Sequence, residues 1–120
     1  MIDRIYTYGD KFTAVDYNQI IDELILTLRM MAENHKTDTL YFSTLIDELK
    51  TCYARNYFDI LKSENTNKII AIANVVAEYE KLGIRIDRKF APGDMLDPNV
   101  FNKIIGIINR VQAKWQKLTN

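Results

Sequence analysis

Apolar residues recur at three- and four-residue spacing in four separate stretches of this chain, and that periodicity commits it to a helical architecture. The first stretch runs from about Ala14 to Asn34, with Tyr17, Ile20, Ile21, Leu24, Ile25, Leu28 and Met31 along one side. Thr13 is placed to cap its N-terminus, and Asp16 stands three residues on, where a capping box needs its acid. A break at His35-Lys36-Thr37 precedes a second helix, capped by Thr37 or Asp38. Its stripe is Phe42, Leu45, Ile46, Leu49, Cys52, Tyr53, Asn56, Tyr57 and Ile60. Ser63 to Asn67 is a polar break rich in capping residues. The third helix is expected from about Thr66 to Leu82, ended by Gly83 in the left-handed conformation. Residues 69–77 are apolar almost all round, which places this helix at the centre of the core or under a partner.

Beyond Gly83 the pattern changes. Ile84 to Phe90 alternates too strongly to continue a helix and reads as a short extended arm, half of a β-ribbon. Pro92 and Gly93 turn the chain, Asp97 caps a fourth helix, and Pro98 takes its first position, where proline is welcome. Phe101, Ile104, Ile105, Ile108, Val111, Trp115 and Leu118 form the last stripe. The expected fold is therefore mainly α: about four helices in a bundle, with two short extended arms that would pair as a two-stranded ribbon. A chain of 120 residues makes one domain, 1–120, large enough to bury a core without a metal or a disulfide. Cys52 is the only cysteine, which excludes an internal disulfide and a cysteine-cluster metal site. Asp3 and Arg4 stand where the apolar core of a signal peptide would begin, and residues 69–77 are too few to span a bilayer. An intracellular, reducing setting is the resulting expectation.

Residues 2–24 align with residues 86–108 at a constant offset of 84. Ile2-Asp3-Arg4 matches Ile86-Asp87-Arg88, Gly9-Asp10 matches Gly93-Asp94, Asn18 matches Asn102, and Ile20-Ile21 matches Ile104-Ile105. Eight of 23 positions are identical, where unrelated segments would share about one or two. The remaining matches keep a physical role. Tyr6 pairs with Phe90 and Tyr17 with Phe101 as aromatics, and Phe12 with Leu96 as apolar staples. Thr13 and Asp97 are caps, while Ala14 and Pro98 both suit a first helical position. Convergent capping accounts for the caps and staples. It does not account for Ile-Asp-Arg lying seven residues before Gly-Asp twice, so the pattern reads as a duplicated arm, turn and helix.

The string Gly-Asp, apolar residue, Thr or Asp, Ala or Pro, aromatic, Asn resembles a short motif of tailed-phage tail-fibre and baseplate proteins. Its residues are Gly9, Asp10, Phe12, Thr13, Ala14 and Asn18, then Gly93, Asp94, Leu96, Asp97, Pro98 and Asn102. Nothing in this chain can build a fibre shaft. The resemblance therefore implies a compact virion structural protein: a non-enzymatic, oligomeric adaptor or connector of a neck, tail or baseplate. It implies partners among other virion proteins and a homo-oligomeric ring. The implied location is the virion, and the host cytoplasm during assembly. A small helical protein-binding or regulatory module is the alternative. On either reading the arms are candidate interfaces, through Ile2, Arg4 and Tyr6 and through Ile84, Ile86, Arg88 and Phe90.

Catalytic chemistry finds little support in the residues. His35 is the only histidine and is expected on a solvated loop, so a Ser-His-Asp triad or a histidine-rich metal site lacks its parts. The glycines are too sparse for a phosphate loop. Asp10 and Asp94 would make a carboxylate pair only if the two repeats faced each other, and both are explained as turn residues beside glycine. No catalytic residue, metal or cofactor is expected. Asn18 and Asn102, early on their helices, are expected to tie each helix to the backbone of an arm or turn. Net charge is zero, with a net of minus four over residues 1–60 and plus four over 61–120. Such a tilt is milder than the basic stripe of a nucleic-acid binder, so neither nucleic acid nor membrane is an expected partner.

Overall fold

The computed structural model describes residues 2, 13–54, 63–94 and 97–119. Helix α1 spans Ala14–Asn34 and α2 spans Thr39–Lys50, with a 3-10 turn at Lys36–Asp38 between them. Helix α3 covers Ser63–Tyr79 and α4 covers Pro98–Thr119. The fold is mainly helical, and among the described residues there is no β-strand.

Helix α1 begins where its capping chemistry dictates. The Thr13 hydroxyl accepts the Asp16 N–H at 3.2 Å, and the Asp16 carboxylate accepts the Thr13 N–H at 2.9 Å. Two of the N–H groups that any helix start leaves unpaired are thus satisfied locally. At α4 the Asp97 carboxylate accepts the Asn99 N–H at 2.9 Å, with Pro98 as the first helical residue.

Three helix ends fall elsewhere than the sequence suggests. Helix α3 begins at Ser63, so the stretch expected as a polar break forms its first turn. Helix α2 stops at Lys50, where Thr51 and Cys52 donate to the carbonyls of Glu48 and Leu49 and tighten the last turn. Tyr53 and Ala54 have already left the helix, and the rest of the expected stripe lies outside the described residues. Helix α3 ends earlier than Gly83. Leu82 donates to Ala77 and Lys81 to Glu78, the bonding of a Schellman motif, with Lys81 at φ +55° in the left-handed position. Gly83, at φ +70°, serves the next bend.

The core is continuous across all four helices. Helix α1 lies against α2, α4 and α3, while α3 lies against α4 and α2; among the described residues the backbones of α2 and α4 do not come together. Leu24, Ile21 and Leu28 of α1 are fully buried with Ile69 and Val76 of α3, Ile104, Ile107 and Val111 of α4, and Phe42 and Leu49 of α2. The hub is α1, which packs most extensively against α2 and α4, rather than the third helix expected from its apolar run, and on α3 Ala71 is exposed. Residues 83–91 carry no regular secondary structure and run back beside α3. No ribbon forms among the described residues, since the backbone partners of this segment are side chains of α3. Of the first arm only Ile2 is described, and it is buried in the common core.

Candidate functional site

Among the described residues, four asparagines each grip the backbone of one distant residue. A carboxamide places a donor and an acceptor side by side in one plane, as a neighbouring peptide would. Asn18 of α1 donates to the Ala54 carbonyl at 2.9 Å and accepts the Ala54 N–H at 2.8 Å. Asn67 of α3 holds Phe90 in the same way at 2.9 and 2.8 Å. Asn74, two turns further along α3, holds Ile86 at 3.0 and 2.8 Å. Asn109 of α4 holds Ile2 at 2.7 and 3.0 Å. Seven helical residues separate Asn67 from Asn74 by about 10.5 Å. The chain between Phe90 and Ile86 must be drawn out to span that distance.

A sequence signal for these clamps exists, at an offset of 35 rather than 84. Asn67-Lys68-Ile69-Ile70-Ala71-Ile72-Ala73-Asn74 on α3 is matched by Asn102-Lys103-Ile104-Ile105-Gly106-Ile107-Ile108-Asn109 on α4. Asn18-Gln19-Ile20-Ile21 on α1 is a third, shorter version. In all three the two isoleucines after the first asparagine are buried, which aims the asparagine at the flank of the core.

The expected site residues divide accordingly. Thr13 and Asp97 are caps. Asn18 ties α1 to a backbone, as expected of its amide, but to the segment after α2 rather than to an arm or a Gly-Asp turn. Asn102 is half-buried on α4, one ladder step before Asn109. Gly93 turns at φ +90°, and Asp94 closes the turn by accepting the Ala91 N–H at 2.7 Å. Arm residues Ile2, Ile86 and Phe90 are only 4%, 3% and 3% exposed. Their side chains pack into the core of the single chain. Ile84 is half-buried, and Arg88 stays exposed with its guanidinium 4.7 Å from the Phe90 ring centre. Arg4, Tyr6, Gly9 and Asp10 lie outside the described residues, and with Asp10 the carboxylate pair.

A second polar centre was not expected. Glu80, just past α3, has a side chain only 1% exposed. Its carboxylate accepts from Lys114 Nζ at 2.7 Å, from His35 Nε2 at 3.2 Å and from Trp115 Nε1 at 3.3 Å. His35 is therefore no solvated loop residue. Its ring lies edge-on to Tyr79 and Trp115, at 4.8 and 5.3 Å between centres. Tyr79 donates to Asp38 across the same junction, and that bond pushes the Tyr79 hydroxyl's pKa up. The end of α3, the residue after α1 and the last turns of α4 meet at this one carboxylate, and α2 joins the surrounding cluster through Phe42, whose ring lies against Tyr79.

The titratable groups resolved here are poor reagents. Burial pushes the Cys52 thiol up, away from the thiolate form a nucleophile needs. Burial likewise raises Tyr17, hydrogen-bonded to Thr66, to about 12. Tyr53, raised by burial and by its bond to Asp22, also reaches about 12. No three metal-ligating side chains cluster among the described residues. A surface hollow of about 380 Å3 between α1 and α2 is rimmed by Arg29, Glu33, Asp47 and Lys50, charges that balance. Val15, Leu26, Leu40 and Tyr41 are exposed apolar side chains on α1 and α2, with Leu40 the most open at 81%. No helix among the described residues is long and apolar enough to cross a membrane. No family model matches the chain, and no curated protein or solved structure matches it either.

Proposed function

We propose that this chain is a non-enzymatic structural subunit of a tailed-phage virion, an oligomeric adaptor or connector of the neck, tail or baseplate. The observation that carries this reading is the Gly-Asp motif, present twice and followed each time by a capped helix start. The Thr13 box and the Asp97 cap supply those starts. The scaffold suits a part whose work is contact: Asn18, Asn67, Asn74 and Asn109 hold backbone segments in place, and Tyr17, Tyr53, Tyr79 and Cys52 are held toward their protonated forms. Its partners are then other virion proteins and further copies of itself, without direct binding of nucleic acid, and it resides in the virion after assembly in the host cytoplasm.

Light scattering of the native protein over a range of concentrations, with negative-stain images, tests the reading. A closed ring of many copies is the expected result. A single-chain mass at every concentration, together with no incorporation into purified tail or neck assemblies, would overturn it. The second reading, a helical module that recruits one partner, is favoured by Leu40 and Tyr41 exposed side by side at the start of α2. Under that reading Leu40→Ser abolishes capture of the partner while leaving the native mass unchanged.

A further inference from the structure

The structure contains two copies of one lock and two copies of one key. Each lock is the sequence Asn-Lys-Ile-Ile-x-Ile-x-Asn along a helix, at 67–74 on α3 and 102–109 on α4. Each key begins Ile-Asp-Arg, at 2–4 and at 86–88, with an aromatic two residues further on. Both keys are engaged through the same contact. Ile86 is held by the second asparagine of the α3 lock and Ile2 by the second asparagine of the α4 lock, each through its N–H and its C=O.

What differs is how each key is attached. The key at 86–90 follows α3 after only residues 80–85, so it folds back on the helix that precedes it. Ile2 meets its lock across 107 positions of sequence and is joined to the body through α1. The eleven steps from Ile2 to Thr13 can span on the order of 38 Å, about the 39 Å long axis of the molecule. A segment of that reach can occupy the α4 lock of its own chain or of a neighbour with identical contacts, so the choice depends on concentration and not on new chemistry.

We infer that the Asn102–Asn109 face of α4 is a docking site for the first twelve residues of a second copy of this chain. Each subunit then gives its first segment to the next and receives one on α4. Such a head-to-tail exchange closes into a ring or continues as a filament. The inference rests on the reading of the chain as an oligomeric subunit for its purpose, though its geometry is independent of any virion.

A complementary pair of full-length variants tests it. Ile2→Asp spoils the key and keeps the lock, whereas Asn109→Ala spoils the lock and keeps the key. Each alone is expected to remain a single chain by light scattering. Mixed after co-expression, they are expected to give a species of twice the 14.0 kDa of one chain, capped at both ends. Variants that assemble separately as the unaltered chain does would overturn the exchange while leaving the oligomeric reading intact. If the unaltered chain and the mixture both remain single chains at every concentration, the exchange is overturned, and the oligomeric reading falls with it only if the unaltered chain also fails to enter purified tail or neck assemblies. Should either variant lose its helical circular dichroism, a synthetic peptide of residues 1–12 added to the unaltered protein decides the matter. Competing peptide is expected to shift assemblies toward single chains, and an unchanged mass at saturating peptide overturns the proposal.

Discussion

The two polar centres of this molecule solve opposite problems. At the junction of all four helices, one buried carboxylate is surrounded by an ammonium, an imidazole and an indole. Along the flanks, neutral carboxamides hold single residues of irregular chain. A buried charge is tolerable only while its donors are in place, so the Glu80 centre is all or nothing. A carboxamide matches one donor and one acceptor without any charge to desolvate, so the clamps can be lost one at a time. The first device fixes how the helices meet; the second fixes what lies on them.

That contrast predicts its largest effect at Glu80. Glu80→Ala leaves the half-buried His35, the exposed Lys114 and the buried Trp115 without their common acceptor, and the cost should be about 3 kcal/mol, the upper end for hydrogen bonds to a charged group. Chemical denaturation would show the midpoint falling with the slope unchanged. A loss below about 1 kcal/mol would mean that aromatic packing around His35 holds the junction without the charge.

Neutrality also matters inside the core. Tyr17 is raised from 10 to about 12 by burial, so folding favours its protonated form. That contribution is fully present below pH 10 and is lost as pH climbs through 12. Two pKa units correspond to about 2–3 kcal/mol. Denaturant melts below pH 10 and near pH 12 should differ by about that amount through this residue. Tyr17→Phe should flatten this part of the alkaline fall while forfeiting the bond to Thr66. An equally steep fall in the variant would move the titrating group elsewhere.

The clamps come next. Asn74→Ala and Asn67→Ala each leave a backbone N–H and C=O of the 84–90 segment unpaired, at Ile86 and Phe90 respectively. The expected cost is about 2 kcal/mol apiece. Their hydrogen-exchange signature should be local, with faster exchange of the Ile86 or Phe90 amide and slow exchange retained in α1. If Ile86→Ala is costly and Asn74→Ala is not, apolar burial holds this segment and the asparagine merely follows.

How much of this was legible from the residues depends on how local the cause is. The span of α1 was readable because Thr13 and Asp16 settle it within four residues. The end of α2 was not, because apolar spacing continues through Cys52 and Tyr53 while Ala54 is captured by Asn18, which lies 36 positions away. His35 looked solvated because nothing near it in sequence needs it, and its partner Glu80 reads as an ordinary charge at a helix end. Alignment at an offset of 84 drew attention to Asn18 and Asn102. The offset of 35, which aligns α3 with α4, would also have brought in Asn67, Asn74 and Asn109.

The smallest expected effect lies at the joint between the two regions. Lys81 immediately follows Glu80 and leads toward the segment that Asn74 and Asn67 hold, and it takes the left-handed position of the Schellman turn. An L residue with a side chain carries a conformational cost there that glycine does not. Since Lys81 is exposed, Lys81→Gly should relieve that strain and stabilise the fold by about 1 kcal/mol. A thermal melt would register a rise of a few degrees. If Lys81→Gly instead destabilises, the freedom added at this joint loosens the link between the carboxylate centre and the clamped segment. Combining it with Asn74→Ala then separates the cases: additive effects leave the two regions independent, and a larger joint loss shows that the turn transmits between them.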